Sequence, residues 1–472
     1  MNADLKPYPA YKDSGVPWLG EVPEHWDIKS LESLVSSCSE RRQPNLPLLS
    51  VVRERGVIPR ASMADHENHN YIPDDLSNYK VVRQGNLVIN KMKAWQGSLG
   101  VSEQDGIVSP AYYVYDFQVA NLRFGHMLLR SKPYVAFFAQ SSEGVRIGQW
   151  DLSVTGMKRI PVVLPPLPEQ SAIVRFLDHI DRRIRRSIRT RQKLIKLLEE
   201  QKQAIIHLAV TRGLDPNVRL KPSGVEWLGE VPEHWAIKKL KAISPRISGR
   251  LVYSPAQYFC ESGVPFLFGK NITERGFSFE KVKFIPHEIN ERFKHHTLRE
   301  GDLVMVRVGA PGLTTVVPIE ADGLNCASMM IIRKDPGFNS KWLAYVLNSR
   351  IGQMQVDIAT YGAAQVQINI TDAVNFLIPT PPLNEQNQIA DYIDRQISKI
   401  LSIVPSINTS IKFLREYRTR LIADVVTGKV DVRHIPLPDE SNIETIFGED
   451  VEPLDNETCA LDEVECAVEI EE

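Results

Sequence analysis

SGVPWLGEVPEHW, Ser14 to Trp26, returns 209 positions later as SGVEWLGEVPEHW, Ser223 to Trp235, with a single substitution. Twelve identities in thirteen positions, with two Trp and a His in each copy, exclude chance and make the chain an internal duplication. A period near 210 residues is too long for a solenoid repeat, so each copy is a domain with its connector. With 472 residues, 43% of them hydrophobic, the chain has room for about three cored domains on the length prior.

Beyond the Trp motif the repeat runs at an offset of 216: Gly85-Asn86-Leu87-Val88 falls on Gly301-Asp302-Leu303-Val304, and Ile160–Leu167 on Phe376–Leu383. The register then holds without a gap, pairing Glu169-Gln170 with Glu385-Gln386, Ile173 with Ile389, Leu198 with Leu414 and Val210-Thr211 with Val426-Thr427. These locked stretches read as long helices. Leu177, Ile180, Ile184, Leu194, Leu198, Ile205 and Leu208 take a and d positions of a heptad, interrupted by Ser187, Arg191 and Gln201. Ile393, Ile400, Ile403, Ile407, Leu414, Tyr417 and Leu421 repeat that frame, interrupted by Gln396, Ser410 and Asp424. Each helix follows a double proline (Pro165-Pro166, Pro381-Pro382) and ends near Gly213 or Gly428. Pro405 predicts a kink or break near Val404.

Between each Trp motif and its helix lie short apolar runs broken by Gly, Asp-Gly and Pro: 81–92, 106–117, 301–310 and 325–334 read as strands, and 124–131 and 341–350 as short helices. The expected fold class is α+β (mixed): two pseudo-symmetric α/β globules separated by two long antiparallel coiled-coil helices. Along the chain this gives residues 1–164, a spacer helix at 165–212, the second globule with its linker at 213–380, a distal helix at 381–428 and a C-terminal segment at 429–472. The two globules differ in sequence while the Trp motifs and helices agree. A copied scaffold with diverged surfaces is what a reader of two different half-sites requires.

The charge is unevenly spread. Of 58 Asp/Glu, 14 lie in 439–472, which has no Lys or Arg, so the remaining residues carry a net charge of +12. A basic body is the footprint of a nucleic-acid binder, and the tail reads as a solvated, unfolded end. Five scattered cysteines with no CxxC pair indicate neither a disulfide framework nor a zinc site. His25 and His234 lack a neighbouring Cys or second His and read as packing or hydrogen-bonding residues. The start carries no basic-then-apolar leader, and no run reaches the roughly 18 apolar residues of a spanning helix, which points to the cytoplasm and no membrane.

YKDSGVPWLGEVPEHW with its internal copy, KMKAWQGSLG at Lys91 to Gly100, VSPAY at Val108 to Tyr112 and the PPLxEQ starts at Pro165 and Pro381 together resemble the specificity subunit of Type I restriction-modification systems. The resemblance runs from Tyr11 to about Arg433. It implies two target-recognition domains that each read one part of a split, asymmetric DNA site, with the helices packed as a spacer. Its implied partners are double-stranded DNA, methyltransferase (modification) subunits and a motor/endonuclease (restriction) subunit. No cofactor is expected in this chain; S-adenosylmethionine, ATP and Mg belong to those partners.

Direct readout needs Arg, Lys, Asn or Gln at base edges, and phosphates need Lys or Arg. In the first globule Lys91 and Lys93 are candidates for phosphates and Gln96 for a base, with Trp95 read as a core anchor. In the second, Arg307 occupies the aligned place. Lys270, Asn271, Arg53, Arg55 and Gln365 are further candidates. No [ND]PP[YF], Gly-rich methyl-donor loop or GxxxxGK[ST] is present, and Pro73-Asp74-Asp75 has no matching ExK; the chain reads as non-catalytic, without metal ligands. Two alternatives stay open: a self-sufficient DNA methyltransferase or nuclease with an unrecognised site, and a coiled-coil scaffold without DNA contact.

Overall fold

The computed structural model describes residues 5–53, 55–63, 72–144, 150–248, 255–273, 276–294, 297–360 and 367–437. The chain forms two compact units, Met1–Arg189 with Ser410–Glu472, and Thr190–Thr409. Each unit takes one globule, the first part of the helix that follows it and the last part of the other helix. The acidic tail and Gln365 lie outside the described residues.

In the first unit, β1 (Val35–Ser37), β2 (Leu87–Asn90), β3 (Leu99–Val101) and β4 (Tyr112–Phe117) form an antiparallel sheet in the order β1-β4-β2-β3. The unbroken apolar run Leu87-Val88-Ile89 is buried in the interior of the sheet, where both faces are covered. Gly85, at φ 92°, and Asn86, whose Oδ1 accepts from Arg83 N at 2.8 Å, make the turn into β2. Helix α1 (Leu122–Leu129) is capped by Asn121, whose side chain accepts from Phe124 N at 3.1 Å, and α2 (Lys132–Gln140) follows.

The second unit repeats this plan with different residues. Here β5 (Ile247–Ser248), β6 (Leu303–Val306), β7 (Thr314–Val316) and β8 (Met329–Ile332) take the same order, β5-β8-β6-β7. Gly301, at φ 84°, and buried Asp302, which accepts from Arg299 N at 3.1 Å, reproduce the turn into the inner strand. Asn339 caps α4 (Ser340–Asn348) through Trp342 N, and α5 (Arg350–Thr360) follows. Ser131 and Ser349 are buried at the two helix-to-helix joints, each donating at 2.7 Å to the carbonyl three residues back. The duplication therefore persists in the backbone through stretches where the sequence no longer displays it.

Both Trp motifs close their globules in the same way. Asp27–Ser30 pairs with Pro161–Leu164, and Ala236–Lys239 with Leu377–Thr380, so the strand leaving each motif pairs with the strand that feeds each long helix.

The long helices are α3 (Leu167–Arg212) and α6 (Leu383–Val426). In the first unit Ile173, Phe176 and Leu177 share a core with Leu421, Val425 and Val426, while Asp181 pairs with Arg418. Rising numbers on α3 meet falling numbers on α6, so the helices are antiparallel. The second unit joins Ile206, Ala209 and Val210 of α3 to Ile389, Ala390 and Ile393 of α6.

Of the kink or break expected near Val404, the break does not occur, and the heptad assignment is corrected. Helix α6 runs through Pro405 without a break; the missing N–H removes one bond, and buried Ile400, Ile407 and Ile411 keep the helix packed on both sides of it. The strict heptad also fails toward the middle and end of the helices: Leu194, Leu208, Ile403 and Tyr417, assigned to the seam, are exposed, and Ile206 and Ala209 are buried in place of Ile205 and Leu208. A straight helix turns every 3.6 residues, so its buried stripe drifts against a 3.5 repeat.

Candidate nucleic-acid interface

The turn after β2 is built from within. Asn90 Oδ1 accepts from Met92 N at 3.1 Å, Lys93 O accepts from Gln96 N at 3.1 Å, and Gly97, at φ 89°, closes the loop. A Cβ on Gly97 would stand 3.0 Å from Val135 Cγ2, so the turn rests directly on α2. Ala94 is buried beneath it, and Trp95 bonds Met92 O at 3.1 Å and leans on Trp150 with ring centroids 5.1 Å apart. Trp95 thus fastens the turn. Lys93 is fully displayed and Gln96 half-buried, while Lys91 Nζ sits 2.6 Å from Asp151 Oδ2, a hydrogen bond that raises the ammonium pKa.

The turn after β6 occupies the equivalent place with opposite chemistry. Gly312, at φ 89°, closes it against α5, where a Cβ would meet Val356 Cγ2 at 2.5 Å. Arg307 is only 9% exposed, and its Nε donates to Ile368 O at 3.1 Å while its own backbone accepts from Ile368 N. Its Nε thus ties this strand end to 368 rather than facing outward, and the turn displays Gly309 and Ala310 instead. Asn271 is likewise buried, with Oδ1 accepting from Phe268 N and Nδ2 donating to Ser278 O, so its amide serves its own turn. Both candidate side chains are therefore buried and engaged in hydrogen bonds within their own globule. Lys270 beside it is exposed. Arg53 is exposed and Arg55 half-buried at the tip of the hairpin Leu49–Val52/Gly56–Pro59, where Arg130 Nη2 donates to Arg53 O at 2.6 Å.

The Trp motif's chemistry is directed at one carboxylate per copy. Glu169, in the first turn of α3, accepts from Trp26 Nε1 at 2.9 Å and Tyr8 Oη at 2.7 Å on Oε1, and lies 2.7 Å from His25 Nε2 on Oε2. Burial, then the neighbouring Glu169, pushes the Tyr8 phenol above its ordinary range. Glu385 of α6 repeats the clasp with Trp235 Nε1 at 3.1 Å and His234 Nε2 at 2.8 Å. The next residue completes it. Gln170 bonds Pro165 O at 2.8 Å and accepts from Asn121 N at 3.1 Å; Gln386 bonds Pro381 O at 2.9 Å and accepts from Asn339 N at 2.9 Å. One Glu-Gln pair therefore joins motif, globule and long helix. In the first unit Gly428, just past the end of α6, also abuts Pro23 and Trp26.

Glu169 and Glu385 were legible only as repeat markers. Their role needed the positions of indoles roughly 145 residues away in the chain, although an invariant EQ at both helix starts was the available signal. Among the described residues no helix is long and apolar enough to cross a membrane, and no three His, Cys, Asp or Glu gather as metal ligands.

Residues 23–197 match the sequence model of the family described as Type I restriction modification DNA specificity domain. The chain is 23% identical over 431 residues to the Type I restriction enzyme MjaVIII specificity subunit of Methanocaldococcus jannaschii, covering 88% of this chain and 95% of that protein. It is 24% identical over 294 residues to the Escherichia coli EcoBI specificity subunit, covering 56% and 61% respectively. A chain solved in work on complex assembly and conformational transition of the type I R-M system superposes with a TM-score of 0.63 at 17% identity, over 86% of this chain and 98% of that one, and shares its fold.

Proposed function

We propose that this chain is a specificity subunit of the Type I restriction-modification kind, like the relatives it resembles, and that each of its two globules reads one part of a split, asymmetric DNA site for partner subunits that methylate adenine or cut. The observation that carries this reading is the pair of sheets in identical strand order, each with a Gly-closed turn resting on a helix after its inner strand, the two turns being chemically unlike. Lys93, Lys91 and Gln96 on one turn, with Lys270, Arg53 and Arg55, are the groups we assign to DNA, phosphates first. The second turn, Gly309-Ala310-Pro311, presents backbone and apolar surface instead, chemistry suited to close approach and to a thymine methyl.

Chemistry lies with the partners in this reading. The modification subunits dock along the helices, where Leu194, Leu197 and Leu208 of α3 and Phe413 and Tyr417 of α6 expose apolar area outside the cores. S-adenosylmethionine, ATP and Mg are handled there, and this chain contributes address rather than reaction. The antiparallel helices are the chain's connection from one reader to the other, so their length is matched to the unread gap.

Single-molecule sequencing of methylated adenines in cells with and without this chain tests the proposal. A bipartite motif should appear only with it, and exchanging residues 245–370 for those of a relative should replace one half of that motif. If both halves moved together, or purified chain alone methylated DNA, the reading would be wrong.

A further inference from the structure

Helix α3 carries a second, differently made surface. Arg182, Arg185, Arg186 and Arg189 stand at i, i+3, i+4 and i+7 and are all exposed. Ile173, Leu177 and Ile184 are buried, and at 100° per residue the arginine stripe lies about 150° around the helix from them. Two acids border it. Asp181 pairs with Arg185 at 2.7 Å and with Arg418, and Asp178, one turn earlier on the arginine side, accepts from Arg123 of α1 at 3.1 Å. The arginine face thus lies on the side of α3 that touches α1 through Asp178.

The duplicate helix shows that packing does not require this face. At the offset of 216 the four positions are Ser398, Leu401, Ser402 and Pro405, although the buried Ile184 still answers to buried Ile400. A stripe needed only for helix pairing or capping would have been kept in both copies, as Glu169 and Gln170 were. Protein interfaces place aromatic and aliphatic residues at their centres and deplete charge there, whereas a phosphate backbone calls for dense guanidinium with little apolar area.

We propose that the Arg182–Arg189 face binds backbone phosphates of the unread duplex next to the half-site held by the first globule, holding that stretch by charge without reading its bases. The proposal rests on the DNA-reading function above. It also makes the two halves unequal: the first reader has a basic extension that the second lacks.

The test uses the full chain assembled with its modification subunits, on duplex carrying its methylated motif. Replacing all four residues, R182Q/R185Q/R186Q/R189Q, should leave the methylated motif unchanged and flatten the dependence of log affinity on log salt by about 1.8 to 3.6, or 0.9 for each of two to four phosphates. Between 50 and 200 mM salt the unaltered complex would then lose roughly 10- to 150-fold more affinity than the variant. Neutral methylphosphonates in the gap beside the first half-site should weaken the unaltered complex and leave the variant little changed. The four Arg→Lys replacements should keep the steep slope, which separates charge from misfolding. Equal slopes for Arg and Gln forms would overturn the proposal, as would loss of the modification subunits from the Gln form at unchanged slope, which would assign the face to a protein. Absence of any bipartite motif in the unaltered complex would instead withdraw the underlying function, and this inference with it.

Discussion

Replacing Glu169 with Ala should damage the first unit far more than replacing Glu385 damages the second, although the two residues are copies. The Glu169 side chain is 5% exposed and its partners Trp26 and Tyr8 are buried, so truncation strands an indole N–H and a phenol O–H out of reach of water. Each stranded buried donor costs about 1–3 kcal/mol, and loss of the His25 contact adds to this, giving about 3–5 kcal/mol in all. The Glu385 side chain is 24% exposed and His234 half exposed, and only the Trp235 indole is stranded, for about 1–2 kcal/mol. Native-state hydrogen exchange under increasing urea resolves the units separately, with amides of β2 and β6 as reporters. The expected gap of about 2 kcal/mol is a roughly 30-fold difference in opening equilibrium between the variants. Equal losses, or a larger loss from Glu385→Ala, would refute the idea that burial of the clasp sets its strength.

Other outcomes follow from the same geometry. His126 is held neutral by burial first and by Arg130 and Arg123 next, with its pKa down to about 3; since the unfolded chain takes up a proton near 6.5, stability is intact above that value and is lost as pH falls toward 3. The loss at pH 5 should be about 2 kcal/mol, and His126→Asn should flatten stability measured between pH 5 and 7. Because α3 and α6 are antiparallel, deleting one heptad from α3 alone should disturb the clasps, whereas removing matched heptads from both helices should change the permitted gap and keep both half-sites, as read by methylated-adenine sequencing. Removing 439–472 should leave the methylated motif unaltered; a changed motif would give the tail a part in recognition.

Much of the architecture was legible because duplication made the sequence its own alignment. The offset of 216 located both helices and both inner strands, and Gly85 and Gly301 mark the same turn in each copy. What the pattern could not reveal is which distant group a side chain answers to. Arg307 stands at a strand end beside Gly309, as a base-contacting residue would, yet the carbonyl it satisfies belongs to Ile368. The same holds for Asn271 beside Gly269, since a turn that consumes its own amide reads from composition like one that offers it. The arginines of α3 were visible as letters, but a heptad frame treats them only as the outside of a coil. Their significance came from comparing them with Ser398, Leu401, Ser402 and Pro405 once burial had shown which side of each helix is packed.

The division of the chain also sets an order of assembly. The unit formed by Thr190–Thr409 is continuous, while the one containing the N-terminus needs Ser410 onward, and Tyr11 reaches Lys429 O across 418 positions. At 5–20 residues per second, the first globule is made roughly 13 to 53 s before the helix end that covers Pro23 and Trp26 exists. The domain made first is therefore completed last, and this slow non-local closure leaves the apolar clip, with Pro23 and Trp26, uncovered for that interval.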